Sequence, residues 1–292
     1  MTRAIESAQH SSTSQLGSWL AGVPAWRLAF AASGAFGLLW CSAFFWWFRD
    51  DPARKPSVSA AELEHIETGR GMSEFHHPMD ARHWARLFTS SSLWAIAIYY
   101  VCGGFGWSFF MSWMPRYMKE VQGVTFQGSE WFTALPLICG GIACFTGGIL
   151  SDALIKATGW RRFGRAIFPI GGCLIAAAAM LAIPYAHTAG RATLCMCIAS
   201  AAYDFGQAAS WASIVDIGGR YVGVAAGFIN IGCLGNALQP YVGARIFNAF
   251  GWNVLFTVYA ASFLLAVTTW FVINPLRTFY EDNPAAQSLP LS

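Results

Sequence analysis

The stretch GGILSDALIKATGWRRFGR, residues 147–165, is a polar hinge between two long apolar runs. Its first two residues, Gly147 and Gly148, carry no side chain, which favours close approach of a helix to its neighbour, as small residues do in membranes. Asp152 ends the first run and is placed to accept hydrogen bonds from a neighbouring helix N-terminus, where the helix dipole favours an anion. The stretch therefore predicts a tight loop between two membrane helices.

The basic residues of this stretch assign the loop to one side of the membrane. Lys and Arg concentrate in the cytoplasmic segments of membrane proteins, and the stretch contains Lys156, Arg161, Arg162 and Arg165. If the first apolar run ends inside, twelve of the eighteen Lys and Arg residues fall in inside segments. We therefore expect this loop to be cytoplasmic and Arg116 to lie outside.

The composition excludes several classes of protein. Of the 292 residues, 55% are hydrophobic and only 11% are charged, which is typical of a membrane protein. The net charge of +3 is too small to predict a nucleic-acid partner. The eight Cys residues lie mostly in apolar runs and lack zinc-site spacing, so we expect no metal. We also expect no cofactor and no enzymatic activity, because no P-loop, G-x-S-x-G or H-E-x-x-H motif occurs.

Seven apolar runs are long enough to span a membrane. A spanning helix needs about 20 mostly apolar residues, so the runs can be counted in the sequence. The predicted spans are Trp26–Phe48, Leu93–Met114, Trp131–Ile155, Ile167–Ala186, Ala192–Val215, Val222–Phe247 and Asn253–Ile273. The chain is therefore expected to be an all-α, multi-pass membrane protein.

The loop after the third run resembles a known family signature. Its pattern G-G-x-x-S-D-x(6)-G-x-R-R, with Gly148, Asp152, Gly159, Arg161 and Arg162, is similar to the loop signature of major facilitator superfamily transporters. The pair Trp26-Arg27 at the start of the first run and the R-D-x-P sequence Arg49–Pro52 after it resemble the frame around helix six in the anion:cation symporter branch. Members of that branch carry sugar acids such as hexuronates, aromatic acids such as phthalate, and phosphate compounds.

The resemblance implies a specific domain organisation. Major facilitators have two six-helix halves joined by a long cytoplasmic loop, and here one helix precedes a long polar segment while six follow it. The expected fold is the C-terminal six-helix bundle plus one preceding helix, with most of the N-terminal half missing. The expected segments are a polar N-terminal segment (1–25), helix six (26–48), a cytoplasmic inter-domain linker (49–92), the bundle (93–275) and a cytoplasmic tail (276–292).

The linker carries one local structural signal. Ser59 and Glu62 fit a capping box, which predicts a short surface helix over residues 60–68. His76, His77 and His83 lie nearby, but scattered His residues in a solvated loop are far commoner than a metal site. No metal site is therefore predicted in the linker.

Three predicted cavity residues lie on the helix after the linker. Its W-x-P-x-Y ending at Trp113 and Tyr117 resembles helix seven of the same branch. Tyr100, Ser108 and Ser112 carry hydroxyl groups that we expect to face a substrate cavity. The aromatic residues at the end of this helix have an alternative interpretation, which is anchoring at the membrane interface.

Three further candidates lie in later helices. Asp204 is an intramembrane carboxylate, a costly feature that indicates a functional site, and Gln207 and Trp211 share its helix face. Asn230 stands in a G-x-x-N-x-x-G…P pattern that resembles helix eleven. We expect Asp204, Gln207 and Asn230 to line the cavity and Asn236 to serve packing. The alternative for Asn230 is a hydrogen bond to a neighbouring helix.

The resemblance implies a function. We expect a secondary active transporter, or its C-terminal portion, that carries a small organic anion such as a sugar acid or aromatic carboxylate. Alternating access and symport with a proton, or with sodium, are implied, as is a place in the bilayer of a bacterial inner (plasma) membrane. The alternative is a non-transporting membrane subunit or half-transporter that pairs with a separate N-terminal half. In the resembled branch the anion-binding residues lie mainly in that half, so the sequence does not identify the substrate.

Overall fold

The structure, a computed structural model, describes residues 25–49, 53, 55, 57–64, 79–124 and 129–280. It divides into two units, Met1–His77 and Pro78–Ser292. The described residues contain helices and turns but no strand, in agreement with the expected all-α fold. Three features of the sequence analysis lie outside the described residues. They are the predicted segment 1–25 except for its last residue, the two His residues at 76 and 77, and the tail from 281 onward.

The first unit contains one long apolar helix. Helix α1 runs over Ala25–Trp47, close to the predicted 26–48. Large apolar side chains along it are exposed, including Phe45 and Trp46. In the linker, residues 60–64 are helical, and Ser59 Oγ accepts a hydrogen bond from Glu62 N at 3.2 Å. The predicted N-cap is therefore present, while the end of the predicted helix at 68 lies outside the described residues.

The second unit is a bundle of helices joined by short turns. Several of them are connected by single 3-10 turns, which lie at Ile183–Tyr185, Gly219–Tyr221 and Asn230–Gly232. The helices are α2 (Ala81–Thr89), α3 (Ser91–Ser112), α4 (Met114–Glu120), α5 (Ser129–Thr158), α6 (Arg161–Ala182), α7 (Ala189–Phe205), α8 (Gln207–Gly218), α9 (Val222–Ile229) and α10 (Cys233–Thr269).

Helix α2 was not predicted from the sequence. Asp80 caps it by accepting a hydrogen bond from the backbone N–H of His83 at 3.0 Å, and this bond lowers the pKa of Asp80. Leu87, about two turns after this cap, is buried. The second unit accordingly begins at Pro78, inside the predicted linker 49–92 and earlier than the predicted bundle.

Five stretches of the described residues are long and apolar enough to cross a membrane. They are Arg27–Trp47, Ser91–Ser112, Trp131–Thr158, Arg161–Tyr185 and Ala189–Thr269. The fifth is 81 residues long, about four times the length of one crossing, and it contains two of the last three predicted spans and all but the final four residues of the third. Gly219 at φ 47° and Gly251 at φ 76° interrupt it. The count differs from the predicted seven because the turns at these glycines are too short to separate the apolar runs.

The ends of the helices form two groups. At one end, Asn274 N donates to Ser92 Oγ at 3.2 Å and Phe279 N donates to Ile217 O at 3.2 Å. At the other end, Gln122 Nε2 donates to Ala186 O at 3.1 Å. The start of the predicted tail is therefore packed on the bundle, and Phe279 is buried there.

Candidate functional site

The second unit contains a cavity of about 270 Å³ between α3 and two interrupted helices. Helix α3 forms one wall, the junction of α7 and α8 forms the second, and the junction of α9 and α10 forms the third. The lining residues are Tyr100, Gly104, Trp107, Tyr203, Asp204, Gln207, Trp211, Ile229, Asn230, Gly232, Cys233 and Asn236. Aromatic rings and uncharged amides surround a single carboxyl group, and none of these residues is Lys, Arg or His.

The helix interruptions bring polar residues into an apolar bundle. Helix α7 ends at Phe205 and α8 begins at Gln207, with Gly206 between them. A Cβ atom at Gly206 would lie 2.6 Å from Pro169 Cα, so only glycine permits this approach to α6. Gly206 keeps right-handed helical backbone angles, φ −80° and ψ −15°, so the break between α7 and α8 is a local kink rather than an unwound segment.

Asp204 is held by two neutral donors. Trp107 Nε1 donates to its Oδ2 at 3.4 Å, and Ser200 Oγ donates to the same oxygen at 3.3 Å. On the α5 side, a Cβ atom at Gly140 would lie only 2.1 Å from Asp204 Oδ2. The absence of a side chain at Gly140 therefore leaves the space that this carboxyl group occupies.

Tyr100 and Asn236 also line the cavity. The hydroxyl of Tyr100 is buried and has no hydrogen-bond partner among the described residues. Its ring centroid lies 6.0 Å from that of Trp211. Asn236 Oδ1 accepts a hydrogen bond from Ser108 Oγ at 2.7 Å, which orients the amide.

The structure brings together four of the six predicted cavity residues. Tyr100, Asp204, Gln207 and Asn230 line one cavity, whereas Ser108 and Ser112 do not line it. Ser108 is buried behind the wall, and Ser112 is exposed at the end of α3. Each residue advances about 100° around a helix, so Ser108 and Ser112 lie about 80° and 120° from Tyr100.

Eight of the twelve lining residues were not assigned to the cavity from the sequence, among them Trp107 and Asn236. Trp107 follows Tyr100 by seven residues and shares its helix face, which is a signal that the sequence contained. Asn236, expected to serve packing, both packs against Ser108 and lines the cavity. Trp113 and Tyr117, for which interfacial anchoring was considered, are buried. Tyr117 donates its hydroxyl to Ile183 O at 3.3 Å.

The signature loop forms a network of charged side chains. Arg165 Nη1 donates to Asp152 Oδ1 at 2.8 Å, and Arg165 Nε donates to Asp216 Oδ2 at 3.3 Å. Arg161 Nη2 lies 3.3 Å from the other oxygen of Asp216. The partner of Asp152 is thus an Arg side chain in the second turn of α6 rather than a helix N-terminus. Asp216, on α8, was not identified from the sequence.

The glycines of the loop have distinct roles. A Cβ atom at Gly147 would lie 2.0 Å from Phe205 O, and one at Gly148 would lie 3.1 Å from Ala208 Cβ. Both contacts agree with the expected close approach of helices. Gly159 has φ 69°, in the region that favours glycine, and it allows the turn between α5 and α6. Arg162 is exposed at this turn.

The described residues contain no group of three or more His, Cys, Asp or Glu side chains able to hold a metal ion. The lining of the cavity is likewise made of groups that form hydrogen bonds and stacking contacts. The site therefore has the chemistry of a binding cavity for a small polar molecule.

Comparison with known proteins identifies the family. The family model described as Major Facilitator Superfamily matches residues 13–238. The chain belongs to the Major Facilitator Superfamily. The resemblance of the signature loop is therefore confirmed, together with the expectation of a multi-pass protein of the membrane.

Three relatives of this superfamily member are named as transporters. The probable sulfoacetate transporter SauU of Cupriavidus necator is 31% identical over 266 residues, covering 89% of this chain and 60% of the relative. The probable galactarate/D-glucarate transporter GudP of Bacillus subtilis is 26% identical over 296 residues, covering 95% of this chain and 64% of the relative. The probable anion transporter 4, chloroplastic, of Oryza sativa is 25% identical over 254 residues, covering 85% of this chain and 42% of the relative. The chain thus spans between 42% and 64% of the length of these relatives.

Proposed function

We propose that this protein moves a small organic anion across a membrane by alternating access. The observation that carries the proposal is the polar cavity at two helix interruptions, where Asp204 and Asn230 stand within an otherwise apolar bundle. A buried polar side chain in a membrane is costly unless it serves a function. The names of the three relatives, all of which describe transporters of anions, support the same activity.

The lining favours a sugar acid or an aromatic carboxylate as the substrate. The rings of Tyr100, Trp107 and Trp211 can pack on the flat face of such a molecule, and the amides of Gln207 and Asn230 can bond its polar groups. A cavity of about 270 Å³ is close to the smallest ligand pockets, of about 300 Å³.

The transport is symport with a proton, or with sodium, in a bacterial inner (plasma) membrane. An anion that enters a cavity holding the carboxyl group of Asp204 needs positive charge to accompany it, since like charges at close range repel. A co-transported cation supplies that charge. Two of the relatives named above are bacterial, which supports the location.

A second helical bundle completes the cavity in this proposal. Trp211, Asn230 and Asn236 line the cavity and are exposed within this chain. Alternating access rocks one bundle against another around a central site. The second bundle is supplied either by further N-terminal sequence or by another chain, and in the latter case the protein is a half-transporter or a subunit.

Uptake into proteoliposomes tests the proposal. The full chain is reconstituted and supplied with labelled sugar acids, aromatic acids and sulfonates, with and without inward proton and sodium gradients. We expect gradient-driven uptake that a protonophore or sodium removal abolishes, and less uptake by Asp204→Asn. Uptake only after co-reconstitution with the N-terminal half of a relative supports the half-transporter alternative. A folded chain that neither binds nor carries any of these anions, alone or with that half, contradicts the proposal.

A further inference from the structure

Helix α2 lies where the bundle meets the surface of the membrane. It ends at Thr89, two residues before the membrane-spanning stretch Ser91–Ser112 begins. Ser90 lies between the two helices and caps the second, since its Oγ accepts a hydrogen bond from Leu93 N at 3.4 Å. Residues this close to the end of an apolar span lie in or beside the headgroup region of a bilayer. The short connection therefore holds α2 at the membrane interface.

One side of α2 presents aromatic rings that the bundle leaves uncovered. Trp84 and Phe88 lie one turn apart on this side, and 43% and 55% of their surface is exposed. Their ring centroids are 6.3 Å apart. The ring of Phe88 also lies 5.9 Å from that of Phe228 on α9, and the ring of Trp94 on α3 lies 5.0 Å from the same ring. Together, Trp84, Phe88 and Trp94 form one aromatic edge.

The aromatic edge continues along α3 into the membrane span. Trp94 is 41% exposed, and Ile98, one turn further along the same helix, is 43% exposed. The indole Nε1 of Trp94 donates to Phe88 O at 2.8 Å, which joins the two helices at this edge. Trp is enriched where apolar spans meet the headgroups, because its ring is apolar and its N–H is polar. The aromatic edge is therefore placed at the boundary between acyl chains and headgroups.

The opposite exposed side of α2 is basic. Arg82 is exposed and lies about 160° around the helix from Trp84. The helix contains no Asp or Glu, and the acidic residue nearest to it in the sequence is its N-cap. Arg86 donates to the backbone oxygen of Tyr280, and the guanidinium group of Arg220 lies 4.6 Å from the centre of the same residue's ring. Positive charge thus extends across this end of the bundle, and an anionic surface complements it.

We propose that α2 anchors the bundle to anionic phospholipids of the cytoplasmic leaflet. The aromatic edge enters the boundary between headgroups and acyl chains, and Arg82 contacts the phosphate of a headgroup. Amphipathic helices with one aromatic side and one basic side bind membranes in this way. The leaflet follows from the expected orientation, because α2 and the signature loop lie at the same end of the bundle. Phe279 N donates to Ile217 O, next to Asp216 of the loop network, and the residue after Phe279 contacts α2.

A fluorophore at residue 88 tests whether the aromatic edge lies in lipid. In the full chain without its native Cys residues, Phe88→Cys is labelled with a polarity-sensitive fluorophore and reconstituted into vesicles of phosphatidylcholine and phosphatidylglycerol. Thr89→Cys is the matched control, because residue 89 is exposed and lies about 100° further around α2. We expect a phospholipid with a nitroxide on its acyl chain to quench the label at 88, and dissolved iodide to quench the label at 89.

The choice of lipid tests the role of charge. Nitroxide-labelled phosphatidylglycerol should quench the label at 88 more strongly than nitroxide-labelled phosphatidylcholine. Arg82→Gln should reduce this preference about fivefold, the ratio expected for one basic residue near an anionic surface. Arg191→Gln, an exposed change at the other end of the bundle, should leave the preference unchanged.

Three outcomes overturn the proposal. Quenching of the label at 88 by iodide places the aromatic edge in water. Protection of that label from both quenchers shows that protein, such as a second bundle, covers the edge. Equal quenching by the two lipids removes the preference for anionic headgroups. If Phe88→Cys does not fold, as judged by thermal unfolding, Trp84→Cys carries the label in its place with the same expected results.

Discussion

Arg165 in the signature loop and Asp216 on α8 lie 51 residues apart in the chain, and the Nε of the first donates to Oδ2 of the second at 3.3 Å. Both side chains are nearly buried, with 12% and 10% of their surface exposed. Asp216 also lies 3.3 Å from Arg161. The loop is thereby tied to the helix that continues from the Asp204 wall of the cavity.

Replacing Asp216 by Asn should destabilise this end of the bundle. The change leaves Arg165 with Asp152 as its charged partner and removes the acidic partner of Arg161. We expect a loss of about 1.5–3 kcal/mol, the usual worth of hydrogen bonds to charged groups. Thermal unfolding in detergent measures the loss. Arg162→Ala, an exposed change in the same loop, is the matched control, and an equal loss in both variants would refute a specific role for Asp216.

Adding a methyl group at Gly140 should displace Asp204. The new Cβ atom would lie 2.1 Å from Asp204 Oδ2, so the carboxyl group must move. We expect anion affinity to change about tenfold or more and the free energy of unfolding to fall by about 1–3 kcal/mol. Gly141→Ala is the control because no atom lies within 4 Å of its added Cβ. Unchanged binding in Gly140→Ala would show that the position of Asp204 does not matter for the anion.

Tyr100→Phe should leave binding unchanged and cause no loss of stability. The hydroxyl it removes is buried without a partner among the described residues, so the unfolding temperature should remain the same or rise. Because the hydroxyl is closed to solvent, a ligand in the cavity does not reach it, and affinity for the transported anion should remain the same. Calorimetry and titration on the same preparation measure both. A drop in stability or a loss of affinity would contradict this prediction.

The two ends of the bundle should face opposite sides of the membrane. We expect Lys119, beside Arg116, to lie outside and Ala157, in the signature loop, to lie in the cytoplasm. Both residues are exposed, so single Cys variants in a chain without its eight native Cys residues should react with a membrane-impermeant thiol reagent. In intact cells only Lys119→Cys should be labelled, and both should be labelled after permeabilisation. Labelling of both in intact cells would contradict the topology.

The sequence by itself determined the class of the fold and the family. Hydrophobic run length and the distribution of Lys and Arg are local properties, so α1, α3, α5 and α6 lie close to their predicted positions. The loop signature that contains Asp152 and Arg161 could also be recognised from the sequence, because its residues lie within one short stretch of the chain. Asp204 could be recognised as a candidate from the sequence, because placing a carboxylate within a membrane-spanning helix costs free energy whichever way the side chain faces.

Only the tertiary structure decided which faces meet and where the helices break. The register of α3 places Trp107 rather than Ser108 beside Asp204, and this depends on how α3 packs against α7. Asp216 acquires its role from a contact with Arg165 across 51 residues, which no local pattern encodes. Helix α2 was missed because its amphipathic face has meaning only against the bundle that buries Leu87. Local sequence thus determined the lengths of the apolar runs. Side-chain packing between helices distant in the chain determined which residues line the cavity.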